Sequence, residues 1–385
     1  MTARRLAGIE PTIFSTMSQL ALRTGAVNFG QGFPDASGPE VLWAAADEAM
    51  RSGQNQYAPG TGVPALREAI ARHQKRHYDL DVDPDTQVCV TTGCTEAIAA
   101  AILGLVDPGD EVITLDPAYD SYDAMIQIAG GVRRGIPLTA PDYRLDGDAL
   151  AAAVTERTRL ILLNTPHNPT GRVLDRAELE SVARVAIEHD LIVVTDEVYE
   201  HLVFDGLEHV PLATLPGMWD RTLTLSSAGK SYSVTGWKVG WASGPERLVG
   251  SLLAAKQWLS FSSAAPLQPA VARALEEESD FPTRLAADLQ AGRDVLVEGL
   301  RAIGLEPNVP QATYFALTDI SHLGWVDGME FCLALPERAG VVAIPAQGFY
   351  EDPTVGRQVV RWAFCKDRPI IDEGLRRLAE ASLEK

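Results

Sequence analysis

The chain of 385 residues reads as an α/β protein: a large domain on a mainly parallel seven-stranded sheet in three αβα layers, followed by a smaller α+β domain. Three observations predict this. From Val88 to about Gly244, apolar runs of four to seven residues alternate with helical patterns. Those runs are rich in β-branched residues and apolar throughout, as strands covered on both faces must be. After Gly244 the alternation stops, and long helical stretches give way to shorter strands.

In chain order, the predicted strands of the large domain are Val88–Thr92, Glu111–Leu115, Val132–Pro137, Leu160–Asn164, Leu191–Thr195, Thr222–Ser226 and Val239–Ser243. Between them, Thr95–Val106 is a helix stopped by Asp107-Pro108-Gly109. Asp175–His189 is another, with Leu179, Val182, Val185 and Ala186 at helical spacing. Helices dominate from Pro245 to Gly304, including Pro282–Ile303, which is expected to act as a spacer shared by both domains. Strands at Thr313–Leu317, Val341–Ile344 and Val359–Phe364 and a helix at Ile370–Glu384 complete the smaller domain. The expected division is an arm, residues 1–40, joining the small domain; a large domain, 41–275; and a small domain, 276–385. There is no internal repeat or long Gly/Ser linker.

Composition narrows the partners. Against 33 basic residues stand 52 acidic ones, a net charge of −19. A polyanion needs a basic face, so nucleic acid and anionic membranes are not expected as partners. The ten-residue apolar run Ala97–Val106 is too short to span a bilayer. MTARRLAGIEPT has no apolar h-region, so no signal peptide is expected. The cysteines Cys89, Cys94, Cys332 and Cys365 form no C-x-x-C and have no histidine cluster beside them in sequence. No metal is therefore expected, and the thiols suggest a reducing cytoplasm.

Ligands of open α/β sheets bind outside the carboxyl ends of the strands, so the residues there carry the chemistry. The strand Thr222–Ser226 leads into SSAGKSYSVTGWKVGW, residues 226–241, with Lys230 among small and hydroxyl side chains and Lys238 eight residues on. Such an amine suits Schiff-base chemistry with pyridoxal phosphate. Gly229-Lys230-Ser231 also matches the tail of a phosphate-cradling loop, but that loop needs a glycine where Thr224 stands. Ser227-x-x-Lys230 matches an acyl-serine pattern, but the S-D-N and K-T-G segments are missing.

The other strand ends add groups that each have a plainer reading. Asp196 could pair with a pyridine nitrogen or cap a turn; Tyr199 could donate to a ring oxygen or pack on the sheet. Asn168, in NTPHNPTG, could donate to the same oxygen or simply shape a turn. Gly93-Cys94-Thr95 opens a helix whose free N–H groups suit a phosphate, with Ser227 and Lys238 in support; the alternative is a helix cap without a ligand. Tyr119 could stack on a ring or fill the core. Arg361, inside the apolar run VVRWAFC, could clamp a carboxylate or form a structural ion pair.

Together these stretches resemble the fold-type I pyridoxal-phosphate aminotransferases of class I/II. The motifs span most of the chain: GQGFPD (30–35), NQYAPGTGVPALREAI (55–70), TTGCTEAI (91–98), DPAYDSY (116–122), NTPHNPTG (164–171), TDEVYEHLVF (195–204), SSAGKSYSVTGWKVGW (226–241) and VRWAFCK (360–366). The branch with kynurenine, glutamine–phenylpyruvate and methionine aminotransferases is the most similar. Actinobacterial N-succinyldiaminopimelate aminotransferases look similar too, in NQYAPG, DEVYEHLVFD and AAKQWLSF.

The resemblance implies a PLP-dependent aminotransferase of amino acid metabolism, passing an amino group from an L-amino acid to a 2-oxo acid by a ping-pong mechanism. Lys230 would attach the cofactor, Asp196 would hold the ring nitrogen's proton, Asn168 and Tyr199 would contact the ring oxygen, and Tyr119 would stack on the ring. Gly93, Cys94, Thr95, Ser227 and Lys238 would hold the phosphate. Arg361, with Gly32 and Asn168, would bind the substrate carboxylate. Tyr57 would reach the phosphate of a neighbouring subunit in a homodimer. The chain departs from relatives at Cys94, usually alanine, and at Ala118, often aromatic. Lysine biosynthesis from a succinyldiaminopimelate donor is the substrate reading. A kynurenine/glutamine/methionine-type enzyme with cysteine-conjugate β-lyase activity is the alternative. Ile13, Phe14 and Tyr119 are expected near the donor side chain, with Arg23 or Gln257 as a second polar contact. A non-catalytic regulator carrying a DNA-binding module is not expected, given the charge and the early GQGFPD motif.

Overall fold

The structure is a computed structural model, and it describes residues 3–9 and 12–385. It opens with α1 (Ile13–Thr24), β1 (Val27–Asn28), α2 (Glu40–Arg51) and α3 (Pro64–Tyr78). Then come β2 (Val88–Thr92), α4 (Gly93–Leu105), β3 (Glu111–Asp116), α5 (Asp120–Ala129), β4 (Val132–Pro137), α6 (Gly147–Ala152), β5 (Thr158–Asn164), α7 (Arg176–Glu188) and β6 (Ile192–Asp196). The large sheet closes with β7 (Thr222–Ser227), the single turn α8 (Ala228–Ser231) and β8 (Val239–Ser243).

The seven strands lie in the order β2-β8-β7-β6-β5-β3-β4. The strands from β7 to β4 pair in parallel, while β8 runs antiparallel to both β2 and β7. All seven predicted strands are present, to within two residues at their ends. Alternation along β5 explains the three layers. Leu160 and Leu162 join the core that holds Ala97, Ile98 and Ala101 of α4. Ile161 and Leu163 face the other way, against Leu179 and Val182 of α7. Side chains of a strand point alternately to its two faces, so an apolar strand buries both. Helix α7 starts on a capping box: Asp175 accepts from the Glu178 N–H, and Glu178 accepts from the Asp175 N–H.

The remaining elements are α9 (Glu246–Leu259), α10 (Leu267–Glu277), α11 (Phe281–Ala302), β9 (Phe315–Asp319), α12 (Gly328–Ala339), β10 (Val341–Val342), β11 (Ile344–Pro345), β12 (Val359–Ala363) and α13 (Arg368–Glu380). Three strands make an antiparallel sheet, β11-β12-β9, with Arg361 of β12 opposite Ile344 and Leu317. Two sequence expectations need correction here. The run Val341–Ile344 is divided between two sheets, because β10 pairs in parallel with β1 while β11 pairs with β12. The strand expected from Thr313 starts at Phe315, because Thr313 adopts a left-handed φ of 68° that no strand allows. No helix among the described residues is long and apolar enough to cross a membrane.

Candidate active site

The sheet's pairing brings the polar strand ends together. Asn164 and Asp196 are partners across β5 and β6, and Thr92 lies opposite Val239 across β2 and β8. Lys238, just ahead of β8, therefore sits beside the start of α4, where its Nζ donates to Thr95 Oγ1 at 3.1 Å. A single cavity is lined by Gly93, Cys94, Thr95, Ser227 and Lys238 at one end, and by Gly32 and Arg361 at the other. Tyr119, Asn168, Asp196, Tyr199 and Lys230 line it as well.

The cradle at the start of α4 depends on two glycines. Gly93 takes a left-handed φ of +70°, and a Cβ there would meet Lys238 Nζ at 3.2 Å. A Cβ on Gly240 of β8 would lie 2.6 Å from the Gly93 carbonyl carbon and 2.7 Å from the Cys94 nitrogen. Bare backbone at both places lets the first N–H groups of α4 open into the cavity beside an ammonium, a suitable anion site.

Asp196 is buried. Its carboxylate accepts from Tyr122 Oη at 2.6 Å, from the Val198 N–H at 3.3 Å and from Cys94 Sγ at 3.5 Å. Burial raises its pKa, while those three donors work against the rise. Burial also pushes the Cys94 thiol well up, helped by the Asp196 charge, so Cys94 stays a thiol that can donate. Asn164 fixes the floor between them, donating from Nδ2 to the Asp196 carbonyl at 2.8 Å and accepting the Asn168 N–H at 2.7 Å.

Lys230, in the α8 turn, donates to Tyr314 Oη at 2.6 Å, and its Nζ lies over the rings of Tyr199 and Tyr314. Burial lowers its amine to about 8, with Cys365 and Asp196 pulling upward and Arg361 and Lys238 downward. Arg361 is 2% exposed and has one hydrogen bond among the described residues, from Nη2 to the Gly30 carbonyl at 2.8 Å. Its guanidinium lies 4.0 Å from the Phe315 ring centre and 4.8 Å from that of Phe14, and its Nε is buried with no partner. Burial lowers its pKa to about 10. A buried guanidinium that lacks a carboxylate is a site for one.

Gly32, Gly93, Cys94, Thr95, Tyr119, Asn168, Asp196, Tyr199, Ser227, Lys230, Lys238 and Arg361 all line this one cavity. Tyr57 is not in this cavity; it is 84% exposed, with its ring edge-on to Phe261 at 5.5 Å. Arg23, Gln257 and Ile13 do not line it, whereas Phe14 does. Sequence reasoning missed Tyr122, Asn164 and Tyr314. Tyr122 lies within the quoted DPAYDSY stretch, but Tyr314 is held only by tertiary contacts and left no local signal.

Residues 22–377 match the family "Aminotransferase class I and II". The chain belongs to the class I and II aminotransferases. It is 50% identical to the probable N-succinyldiaminopimelate aminotransferase DapC of Mycobacterium tuberculosis, over 98% of both chains. It is 40% identical to the methionine aminotransferase of Escherichia coli, over 98% of this chain and 97% of that one. The solved structure of the M. tuberculosis N-succinyldiaminopimelate aminotransferase superposes with a TM-score of 0.96 at 49% identity, covering 99% of this chain and 100% of that one. The fold is that of fold-type I aminotransferases, and the enzyme depends on pyridoxal phosphate. Its residues fit that cofactor: an anion cradle at α4, a buried carboxylate at Asp196 and the Lys230 amine, all lining the same cavity.

Proposed function

We propose that this aminotransferase moves the amino group between N-succinyl-LL-diaminopimelate and 2-oxoglutarate, in lysine biosynthesis, by a ping-pong mechanism. The observation that carries this reading is the 50% identity, nearly end to end, to a probable N-succinyldiaminopimelate aminotransferase. The aromatic wall of Phe14, Phe315 and Phe349 around Arg361 favours the second reading, a donor with an apolar side chain such as methionine or kynurenine, with β-elimination as a side activity.

Bound in this cavity, pyridoxal phosphate supplies an electron sink for the substrate's Cα–H bond and carries the amino group between the two substrates. Lys230 Nζ would hold the cofactor, and its amine, when free, would take up the substrate's Cα proton and give it back. Asp196 would keep the proton on the ring nitrogen, and Asn168 and Tyr199 would donate to the ring oxygen. Tyr119 stacks on the ring. The N–H groups of Gly93 and Cys94, with Thr95, Ser227 and Lys238, hold the phosphate. Arg361, with the Gly32 backbone and Asn168, orients the α-carboxylate. Tyr314 positions Lys230.

The working assembly in this reading is a cytoplasmic homodimer in which each Tyr57 reaches the partner's phosphate. The high exposure of Tyr57 and the four free, buried cysteines support this. Residues 41–275 serve as the cofactor domain and 276–385 as the small domain. Pairing of β1 with β10 supports joining the 1–40 arm to the latter, though residues 1, 2, 10 and 11 lie outside the described residues.

Single-turnover spectra against succinyldiaminopimelate, kynurenine, glutamine, methionine and phenylalanine test the substrate. Fastest conversion of the bound cofactor to its amine form by succinyldiaminopimelate is expected. Faster conversion by methionine or kynurenine would replace that reading with the second one.

A further inference from the structure

Behind the cavity wall the fold gathers histidines that lie far apart in sequence. His73 and His77 are four residues apart on α3, so they share a helix face. His201 follows β6, at the end of the same short segment that presents Asp196 and Tyr199 to the cavity. One ring nitrogen from each of the three lies within 4.8 Å of the other two. The ring centres form a near-equilateral triangle, 4.5 Å from His73 to His77 and 4.9 Å from each to His201, with no pair stacked.

Hydrogen bonding leaves this cluster incompletely satisfied. His73 Nε2 faces His201 Nε2 at 2.7 Å, so a single proton must be shared between two imidazoles. His73 Nδ1 is buried with no partner, so turning that ring over breaks no other hydrogen bond, and either nitrogen can serve as a ligand. The surroundings suit a cation. Glu200 lies alongside, accepting from Tyr78 Oη at 2.6 Å and from Ser226 Oγ. Glu197 accepts from His209 Nε2 at 2.8 Å, and its other oxygen is buried without a partner. A surface cleft lined by His77, Tyr78, Glu200, His201 and His209 opens onto the cluster, so an ion has a path in.

We propose that His73, His77 and His201 form a binding site for a divalent transition-metal ion, of the zinc, cobalt or nickel type, that ties α3 to the segment carrying Asp196. Three imidazoles are a borderline-soft nitrogen set, which selects such ions over magnesium and calcium. Tetrahedral coordination at about 2.0–2.1 Å sets ligand nitrogens roughly 3.3 Å apart, so the His73 and His201 nitrogens, 2.7 Å apart, would part by about half an ångström, and a pair at the 4.8 Å limit would close by about 1.5 Å through side-chain rotation. The fourth position faces the cleft and takes water.

The test uses the holoenzyme without a histidine tag, stripped with a chelator and titrated with zinc chloride by calorimetry, then with cobalt chloride by absorption. Saturable binding of one zinc ion per chain is expected, with the intense visible bands of tetrahedral cobalt. His77→Ala, at the exposed corner and away from the active cavity, should weaken zinc binding at least tenfold and leave metal-free transamination unchanged. Absence of saturable binding, or equal affinity in wild type and His77→Ala, would overturn the proposal. So would a cobalt spectrum as weak as that of the aqueous ion, which needs no variant to fold.

Discussion

The Tyr314 hydroxyl accepts a hydrogen bond from Lys230 Nζ at 2.6 Å and donates its own proton to the Gly32 carbonyl at 2.6 Å. The phenol therefore offers the amine an oxygen lone pair, which steadies the charged form. Burial has the opposite effect and brings the amine to about 8. Because only the neutral amine attacks a carbonyl, capture of pyridoxal phosphate by the apoenzyme should speed up with pH and level off above about 8. Tyr314→Phe removes the acceptor, so the midpoint should move to lower pH in a stopped-flow profile. Lys230→Ala should abolish turnover altogether.

Asp196 and Cys94 are expected to differ sharply in weight. Asp196→Ala removes the charge proposed to hold the ring nitrogen's proton, and kcat/KM should fall on the order of 10³-fold or more. Cys94→Ala removes one weak donor to Asp196 and leaves the backbone N–H in the cradle. Its cost should stay below about tenfold, the worth of one neutral hydrogen bond. Steady-state kinetics on both variants decide this; equal losses would mean that the thiol is essential to the carboxylate's state.

Arg361→Lys keeps the charge but loses the planar fork and the stacking on Phe315. KM should rise about tenfold or more for donor and oxo acid alike, since both present the same carboxylate. A rise for one substrate alone would argue for two separate carboxylate sites.

Light scattering should give twice the chain mass. Tyr57→Phe should leave kcat nearly unchanged and weaken cofactor retention about tenfold, as loss of a hydrogen bond to a charged phosphate does. A monomer with full activity would rule out a shared site.

Gly240→Ala places a methyl group against the Gly93 carbonyl and the Cys94 nitrogen. Overpacking of this kind costs about 1–3 kcal/mol, and here it should displace the α4 start as well. Melting temperature and cofactor affinity should therefore fall together. Gly250→Ala, inside α9 where an added Cβ meets nothing within 4 Å, is the matched control: it should leave cofactor affinity unchanged and raise the melting temperature slightly, since alanine favours a helix interior over glycine by about 1 kcal/mol.

The large sheet was legible because its strands bury both faces and so read as continuous apolar runs; β5 and β6 are clear examples. The reversal of β8 was not, since strand direction leaves no mark on hydropathy. The strand-end groups were legible because they follow their strands directly. Tyr314 and Asn164 were hidden for a different reason: Tyr314 meets Lys230 across 84 residues of chain, and Asn164 works through a backbone carbonyl supplied by β6. The triad of histidines was hidden in the same way, with His201 far along the chain from α3.

The cavity's lining sets three cations, Lys230, Lys238 and Arg361, against a single carboxylate, Asp196. The chain as a whole carries −19. The molecule is thus an acidic body with a positive well, and a concave low-dielectric mouth concentrates that field outward. Doubly charged oxo acids and phosphates are drawn toward the opening against the general repulsion of the surface. Entry of these small dianions should accordingly slow as ionic strength rises, while uncharged analogues enter at a rate that salt leaves alone.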